Sequence, residues 1–274
     1  ATVHRVNFGG DVGLHVAKNM WAIIKTFGGI QPEKLEELDG DLHVRSAWLS
    51  ARYVEGNEAY ETDETAKAEI IELNKKLYQL TADGDHESSL AMLYWKAREW
   101  SYDYFKLFYD ELGVVQFEKY YPESVTTPTG IETVKKGLHD GVYQMSDGAV
   151  VFKGEPYGLH TRVFMNSDGL PTYEAKDVGL IMQKWSDYHF DKSIIITGND
   201  ILEYMKVVQK SIEQFEPELV KRSVHLTHGN LKLAGGKKMS SRKGTVLLAL
   251  DVLQAAREAQ AAQHDDANES AVLG

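Results

Sequence analysis

The most informative stretch of this sequence reads Gly235-Gly236-Lys237-Lys238-Met239-Ser240-Ser241-Arg242-Lys243-Gly244. Glycines at both ends favour a loop, because glycine adopts backbone conformations that other residues avoid. Between them, ammonium and guanidinium groups alternate with hydroxyl groups. Such a loop can close on a polyphosphate and stabilise the charge that develops as pyrophosphate leaves. By composition alone, a solvated basic hairpin is an equally good interpretation.

The composition is that of an ordinary globular chain with an acidic balance. Its 274 residues suffice for one large or two small domains, and its net charge is -11. Because phosphate contacts need clustered lysine and arginine, a nucleic-acid partner would have to meet a local patch such as residues 232–243. The absence of cysteine excludes disulfides and thiolate metal sites. No apolar run approaches the roughly 20 residues of a membrane span, and no signal peptide is recognisable, so we expect a cytoplasmic protein.

The last third of the chain alternates helices and strands. Spacing and β-branched runs predict helices over 171–188, 201–215 and 251–262, strands over 192–197 and 223–227, and a further strand over 246–250. The strand over 192–197 is expected to be buried, because it is a run of β-branched residues. This alternation predicts a parallel sheet with crossover helices.

The first two thirds are predicted to be mostly helical. Helical spacing covers 14–27, 62–80, 88–112 and 130–138, with a less regular stretch over 38–56. Short strands are expected over 3–8, 114–118 and 161–165, and a loop over 120–128. A hairpin is predicted from two apolar runs, 142–145 and 149–152, that flank Ser146-Asp147-Gly148.

A second group of polar residues opens the predicted helix over 171–188. The sequence there reads Ser167-Asp168-Gly169-Leu170-Pro171-Thr172-Tyr173-Glu174-Ala175-Lys176-Asp177. Tyr173 and Asp177 are spaced to lie on one helix face, one turn apart. A carboxylate beside a phenol can bind a cationic side chain through charge-assisted hydrogen bonds. On spacing alone, a helix cap followed by a surface aspartate is the favoured interpretation.

Three further segments place polar residues in turns or at strand ends. They are Arg5-Val6-Asn7-Phe8-Gly9-Gly10-Asp11-Val12-Gly13, Tyr121-Pro122-Glu123-Ser124 and Thr197-Gly198-Asn199-Asp200. The last follows a predicted strand and precedes a predicted helix, which is where α/β sheets bind ligands. The first two are weak signals by themselves, since a glycine turn and an exposed loop glutamate are common. The histidines lack the spacing of a zinc site, so no metal site is expected.

Several of these segments resemble one protein family. Residues 238–244 resemble the second signature of class I aminoacyl-tRNA synthetases, and the Arg-Lys-Gly ending is similar to the arginyl form. Residues 167–177 are similar to the arginyl segment Ser-Asp-Gly-x-Pro-Thr-Tyr with an aspartate one turn later. Residues 5–13 resemble a strand and turn that usually end Gly-Asp-Trp-Gly, and residues 121–124 resemble Gly-Glu-Ser.

The resemblance implies an α/β fold with a Rossmann-like, parallel-sheet nucleotide-binding core and a largely helical insertion. The core would comprise residues 1–30 and 114–262, the insertion residues 31–113, and a linker toward an anticodon-binding domain residues 263–274. The implied activity is that of an arginine–tRNA ligase, which uses ATP with Mg²⁺ to convert arginine to arginyl-adenylate and then transfers it to tRNA(Arg). No tightly bound cofactor and no membrane partner are implied.

The resemblance also implies roles for individual residues. Catalysis would fall to Lys238, Ser240, Ser241, Arg242 and Lys243; arginine binding to Tyr173, Asp177, Glu123 and Asn7; and ATP binding to Gly198, Asp200, Lys238 and Met239. Three features depart from the family pattern: the residues at positions 12 and 201, and a family histidine near position 201 that this sequence lacks, with Tyr204 close by. Val12 stands in place of tryptophan, and Ile201 stands in place of a glutamine that touches the amino acid.

One family motif is missing. The first signature, of the His-x-Gly-His type, occurs nowhere in the 274 residues. We therefore interpret the chain as a fragment of the catalytic core and expect it to be a poor catalyst alone. The departures at Val12 and Ile201 leave open a noncatalytic paralogue that binds ATP or RNA. A related class I synthetase, such as the lysyl enzyme, is a third interpretation.

Overall fold

The computed structural model describes residues 1–229 and 248–261. Contacts divide these residues into two compact units. The sheet unit comprises residues 1–11 and 118–229, and the helical unit comprises residues 12–117 and 248–261. In the part of the chain that the structure describes, no helix is long and apolar enough to cross a membrane.

The described residues form the following helices and strands. The helices are α1 (Leu14–Phe27), α2 (Glu33–Glu36), α3 (Leu42–Thr62), α4 (Glu64–Asp83), α5 (Ser89–Glu111), α6 (Glu123–His139), α7 (Tyr173–Tyr188), α8 (Leu202–Glu213), α9 (Pro217–Lys221) and α10 (Ala249–Ala261). The strands are β1 (Val6–Gly9), β2 (Lys119–Pro122), β3 (Gln144–Ser146), β4 (Ala149–Phe152), β5 (Arg162–Met165), β6 (Ser193–Gly198) and β7 (Ser223–His228). Short 3-10 helices lie at Glu155–Tyr157 and Asn199–Ile201.

The helical unit is built from α1 to α5 and α10. Three of its helices begin after a capping side chain, since Asp41, Asp63 and Ser88 each accept a hydrogen bond from a backbone N–H of the following turn. The apolar faces of α1, α4 and α5 form its core, with Ile23 and Leu77 fully buried. The predicted helix over 14–27 is confirmed at both ends, and Gly28 ends it in the left-handed conformation.

The prediction of an irregular stretch over residues 38–56 is wrong, because α3 is one continuous helix. Its buried positions include Ser46, Gly56 and Asn57, so the apolar periodicity that marks a helix is weak there. Gly56 lies against α1, where an added Cβ would be 1.9 Å from the carbonyl oxygen of Lys18. This helix therefore packs through close backbone contact with α1 as well as through buried Leu49.

The grouping by contacts differs from the predicted domains at α1. This helix packs on α3 and α4, and its residues share one apolar cluster with α4 and α5. Residues 12–30 therefore group with the helices that follow them, whereas the sequence prediction counted residues 1–30 with the core.

Every described strand belongs to the sheet unit, where three small sheets form. Strands β3, β4 and β5 are antiparallel neighbours, and the predicted hairpin is confirmed. Its turn residues Asp147 and Gly148 both have positive φ, at 48° and 78°, as a tight hairpin turn requires. The pairs β1–β2 and β6–β7 are parallel, and the chain between β6 and β7 crosses over through α8 and α9. The predicted alternation in the last third is thus confirmed.

Two predictions between residues 114 and 128 are wrong. The strand expected over 114–118 is displaced, because β2 begins at Lys119 and pairs with β1, with Asn7 opposite Tyr120. The loop expected over 120–128 is mostly helix, since α6 begins at Glu123 and contains Pro128. Packing of α6 along α7 outweighs the hydrogen bond that proline cannot make.

The expected burial of the strand over 192–197 is also wrong. In β6, Ile194 and Ile196 are 54% and 68% exposed, whereas Ser193 is buried and Ile195 packs on the core. Alternate side chains of a strand point to opposite faces, and one face of the β6–β7 pair carries these exposed isoleucines. Of the strand expected over 246–250, Leu250 lies in α10, and residues 246–247 lie outside the described residues.

Candidate active site

The close approach of α6 and α7 organises the polar residues of the sheet unit. An added Cβ on Gly130 would lie 2.1 Å from the carbonyl oxygen of Ala175, and one on Gly179 would lie 2.1 Å from that of Thr126. Only glycine permits backbones to approach so closely without displacement. This contact sets the first turn of α6 beside the first turns of α7.

A buried ion pair joins the two helices at this point. The Nζ of Lys176 on α7 donates to Oε2 of Glu123 on α6 at 2.6 Å, and both side chains are almost fully buried. Burial raises the pKa of Glu123, while the Lys176 ammonium opposes the rise. The neighbouring Ser124 donates its backbone N–H and its hydroxyl to the buried carboxylate of Asp11, at 2.8 and 2.7 Å. Glu123, expected to lie in a loop, is therefore fixed at the start of a helix.

Asp177 is a carboxylate in a strongly perturbed environment. The pKa of Asp177 is raised to about 7, first by burial and then by the nearby Glu123 and Glu174 carboxylates, while the Tyr204 hydrogen bond and Lys184 favour the ionised form and limit the rise. The Tyr204 hydroxyl on α8 donates a hydrogen bond to Oδ2 of Asp177. The protein thus holds a carboxylate that is partly protonated near neutral pH, an environment common at functional sites.

The predicted spacing of Tyr173 and Asp177 is confirmed, since both lie on α7 in consecutive turns. Tyr173 is the first residue of the helix and its side chain is 55% exposed. The Lys176 ammonium lies 5.2 Å from the centre of its ring, within range of a cation–π interaction. An exposed phenol and a more deeply placed carboxylate on one helix suit a long cationic ligand that enters from solvent.

Lys184 is a buried residue that the sequence reasoning missed. It lies on α7 two turns after Asp177, and its Nζ donates to Oγ of Ser193 at 2.5 Å. Burial lowers the pKa of Lys184, and the Asp177 carboxylate opposes this. Both side chains line a small pocket between α7, α8 and β6, together with apolar residues such as Met205. The signal in the sequence that could have revealed Lys184 is its spacing of seven residues from Asp177 on the same helix.

Two residues of the predicted ATP subsite, Gly198 and Asp200, lie at the carboxyl end of β6, beside that of β7. Gly198 ends β6 opposite His228 of β7, and exposed Asp200 lies in the short helix that follows. His225 of β7 shares a 2.7 Å hydrogen bond with the Thr197 hydroxyl, and burial lowers the pKa of this histidine. Parallel strands, a tight turn and a following helix give this edge the arrangement that binds nucleotides in α/β sheets.

The remaining predicted site residues fall into two groups. Asn7 is half-buried in β1 and belongs to the same sheet unit as Asp177. The loop residues Lys238, Met239, Ser240, Ser241, Arg242 and Lys243 lie outside the described residues. Within residues 1–229 and 248–261, no group of three or more histidine, aspartate or glutamate side chains is arranged to hold a metal ion.

Comparison with protein families gives the decisive finding. Residues 2–273 match the family model described as "tRNA synthetases class I (R), catalytic domain". The chain belongs to this family. The resemblance recognised in residues 167–177 and 238–244 is therefore confirmed, and so is the α/β fold class of a class I synthetase catalytic domain.

Individual members of the class I synthetase family agree with this assignment. The arginine–tRNA ligase of Porphyromonas gingivalis is 30% identical over 261 residues, which is 92% of this chain and 43% of that protein. The chain therefore spans less than half the length of this curated relative. Two solved structures share the fold. The arginyl-tRNA synthetase of Plasmodium falciparum has a TM-score of 0.65 at 19% identity, covering 95% of this chain and 39% of its own. That of Thermus thermophilus has a TM-score of 0.62 at 18% identity, covering 99% and 49%.

Proposed function

We propose that this chain supplies the arginine-binding and ATP-binding core of a cytoplasmic arginine–tRNA ligase. The observation that carries the proposal is Asp177, a carboxylate in a low-dielectric environment one turn after Tyr173. A guanidinium group is always charged and pairs well with a planar carboxylate. The segment that holds Asp177 lies within the residues that match the arginyl-type family.

The proposed reaction has two steps. First, a carboxylate oxygen of arginine attacks the α-phosphorus of ATP, which forms arginyl-adenylate and releases pyrophosphate. Then a terminal ribose hydroxyl of tRNA(Arg) attacks the activated carbonyl and AMP leaves. Both steps depend on positioning and charge stabilisation, without a covalent enzyme intermediate. Mg²⁺ would accompany ATP as part of the substrate.

Each predicted subsite has a part in this proposal. Tyr173 and Asp177 would hold the guanidinium group, with Glu123 and Asn7 completing the arginine site. Gly198 and Asp200 would contact ATP at the carboxyl end of β6, since strand ends of this kind bind ligands in α/β sheets. In the basic loop, Lys238 would stabilise the phosphates and Met239 would contact ATP. The loop would be supported by Ser240, Ser241, Arg242 and Lys243. Lys176 is proposed to balance the charge of Glu123, to which it is hydrogen-bonded.

Calorimetry with arginine tests the proposal directly. We expect the chain to bind arginine and Asp177→Ala to weaken this binding by about 30-fold or more, since loss of one partner of a buried charge pair costs about 2 kcal/mol or more. The matched control is Asp191→Ala, which removes a fully exposed carboxylate of the same unit. Arginine binding that survives Asp177→Ala, or no arginine binding by the unmodified chain, would overturn the proposal.

Two alternatives remain as outcomes of the same titration. Ile201 stands where the family has a glutamine, which leaves open a noncatalytic module. ATP binding without any arginine binding would support that module. A preference for lysine over arginine would indicate a lysyl-type enzyme instead.

A further inference from the structure

A chain of polar contacts runs from β5 to Asp177 through α8. The Nε of Arg162 on β5 donates to Oε1 of buried Glu174 at 2.7 Å. The guanidinium carbon of Arg162 lies 4.9 Å from the centre of the Tyr204 ring. The Tyr204 hydroxyl donates to Oδ2 of Asp177. These four residues connect β5, α7 and α8 around one carboxylate.

We propose that Tyr204 is a positioning residue for arginine recognition, orienting the Asp177 carboxylate and favouring its ionised form, and that Arg162 and Glu174 hold the Tyr204 ring in place. The inference rests on the proposed function, because Asp177 must be the residue that binds the substrate guanidinium.

Tyr204 has the two properties that this role needs. Its hydroxyl donates to one oxygen of Asp177, so the carboxylate is fixed in rotation and the other oxygen faces a different direction. Burial raises the pKa of Asp177, and with the Tyr204 hydrogen bond in place it is about 7; because that hydrogen bond lowers the pKa, its loss would leave more of the carboxylate protonated at neutral pH. A guanidinium group needs the ionised carboxylate, because a protonated one loses both charge and acceptor capacity.

The Tyr204 ring is itself restrained. A planar guanidinium over an aromatic ring gives a cation–π contact, and lysine would not reproduce its geometry. Glu174 is nearly buried and pairs with Arg162, so the guanidinium cannot leave the ring without breaking this ion pair. Ionisable groups act on Asp177 from each element packed on α7. They are Glu123 on α6, Tyr204 on α8, Glu174 and Lys184 on α7 itself, and Arg162 on β5 through Tyr204.

The test uses Tyr204→Phe, which keeps the ring and removes only the donor. Carboxyl ¹³C NMR of the whole chain, with the Asp177 signal assigned through Asp177→Asn, follows the ionisation directly. We expect a midpoint near pH 7 in the unmodified chain. In Tyr204→Phe it should be higher by about one pH unit or more, as expected when a hydrogen bond to a charged group is lost. An unchanged midpoint would overturn the inference.

Arginine binding across pH supplies a second readout that general destabilisation would not reproduce. At pH 6.5, Tyr204→Phe should bind arginine about tenfold more weakly than the unmodified chain does. Near pH 8.5, the arginine dissociation constants of the two proteins should agree within about twofold. The matched control is Tyr143→Phe, which removes the hydroxyl that donates to Ser211 in the same unit. It should leave the midpoint and the binding unchanged.

The outcomes separate this inference from the proposed function. If Asp177→Ala does not affect arginine binding, the proposed function fails. If Asp177→Ala abolishes binding but Tyr204→Phe changes neither the Asp177 midpoint nor the pH dependence, only the inference fails. A uniform loss of affinity at all pH values in Tyr204→Phe would indicate a packing role and would likewise contradict it.

Discussion

At the scale of single residues, the ionised Asp177 carboxylate is expected to lower the stability of the folded chain, although the same carboxylate is proposed to bind the ligand. Its pKa lies near 7 in the folded chain and near 4 in an unfolded one. Between these values the folded chain binds more protons, so its stability falls as the pH rises from about 4 to about 7. Above pH 7 this unfavourable contribution is fully present, with a ceiling of about 4 kcal/mol.

Asp177→Asn should therefore stabilise the chain while removing arginine binding. The amide is uncharged and still accepts the Tyr204 hydrogen bond. We expect the free energy of unfolding to rise by about 1–3 kcal/mol at pH 8, below the ceiling because Lys184 loses a favourable neighbour. Urea unfolding at pH 8 and pH 4 measures this, and the two proteins should differ little at pH 4. A destabilised variant at pH 8 would contradict the prediction.

At the scale of elements, the contact between α6 and α7 determines where the site residues lie. Gly179→Ala would place a Cβ 2.1 Å from the carbonyl oxygen of Thr126, so one backbone must shift. We expect a loss of about 1–3 kcal/mol in stability, as in other overpacked interiors. Because Asp177 precedes Gly179 by only two residues, arginine affinity should fall as well. Urea unfolding and calorimetry measure the two effects.

A glycine with open surroundings provides the control. Gly229→Ala adds a Cβ with no atom of residues 1–229 or 248–261 within 4 Å, so stability and arginine affinity should both stay near those of the unmodified chain. Equal behaviour of Gly179→Ala and Gly229→Ala would show that the two helices do not depend on this close approach.

The same elements show how much the sequence could predict. The helix over 14–27 has an apolar stripe and a glycine end, and the hairpin at Asp147-Gly148 has a turn signal, so both were found locally. Helix α3 was missed because apolar Leu49 shares its buried positions with Ser46, Gly56 and Asn57, so no regular apolar stripe marks the helix. The start of α6 was missed because packing on α7 stabilises a helix that contains Pro128, and no local sequence pattern reports such tertiary packing.

The candidate site likewise combines residues that the sequence could predict with contacts that it could not. Tyr173 and Asp177 share one helix, and the resemblance to a family made their spacing meaningful. Lys184 lies on that helix too, but nothing in the sequence shows that it is buried. Tyr204 is hydrogen-bonded to Asp177, which lies 27 residues earlier in the sequence, and Lys176 is hydrogen-bonded to Glu123, which lies 53 residues earlier. Contacts of this kind depend on how elements pack and could not be read from residue spacing.

At the scale of the whole molecule, each unit has its own apolar core. The cluster around Leu77 belongs to the helical unit and the cluster around Ile212 to the sheet unit, and the described clusters share no residue. Four of the five tryptophans lie in the helical unit, whereas Trp185 lies in the sheet unit. Tryptophan fluorescence therefore reports mainly on the helical unit, and arginine binding reports on the sheet unit that holds Asp177.

This division predicts different results for two matched core truncations. Leu77→Ala and Ile212→Ala each remove a buried aliphatic side chain, at a cost of about 2–5 kcal/mol. Leu77→Ala should lower the urea midpoint seen by fluorescence and leave the arginine dissociation constant within about twofold, since every proposed arginine ligand belongs to the sheet unit. Ile212→Ala should weaken arginine binding, because Ile212 lines the pocket beside Asp177. Equal effects of both substitutions on arginine binding would mean that the two cores do not act separately.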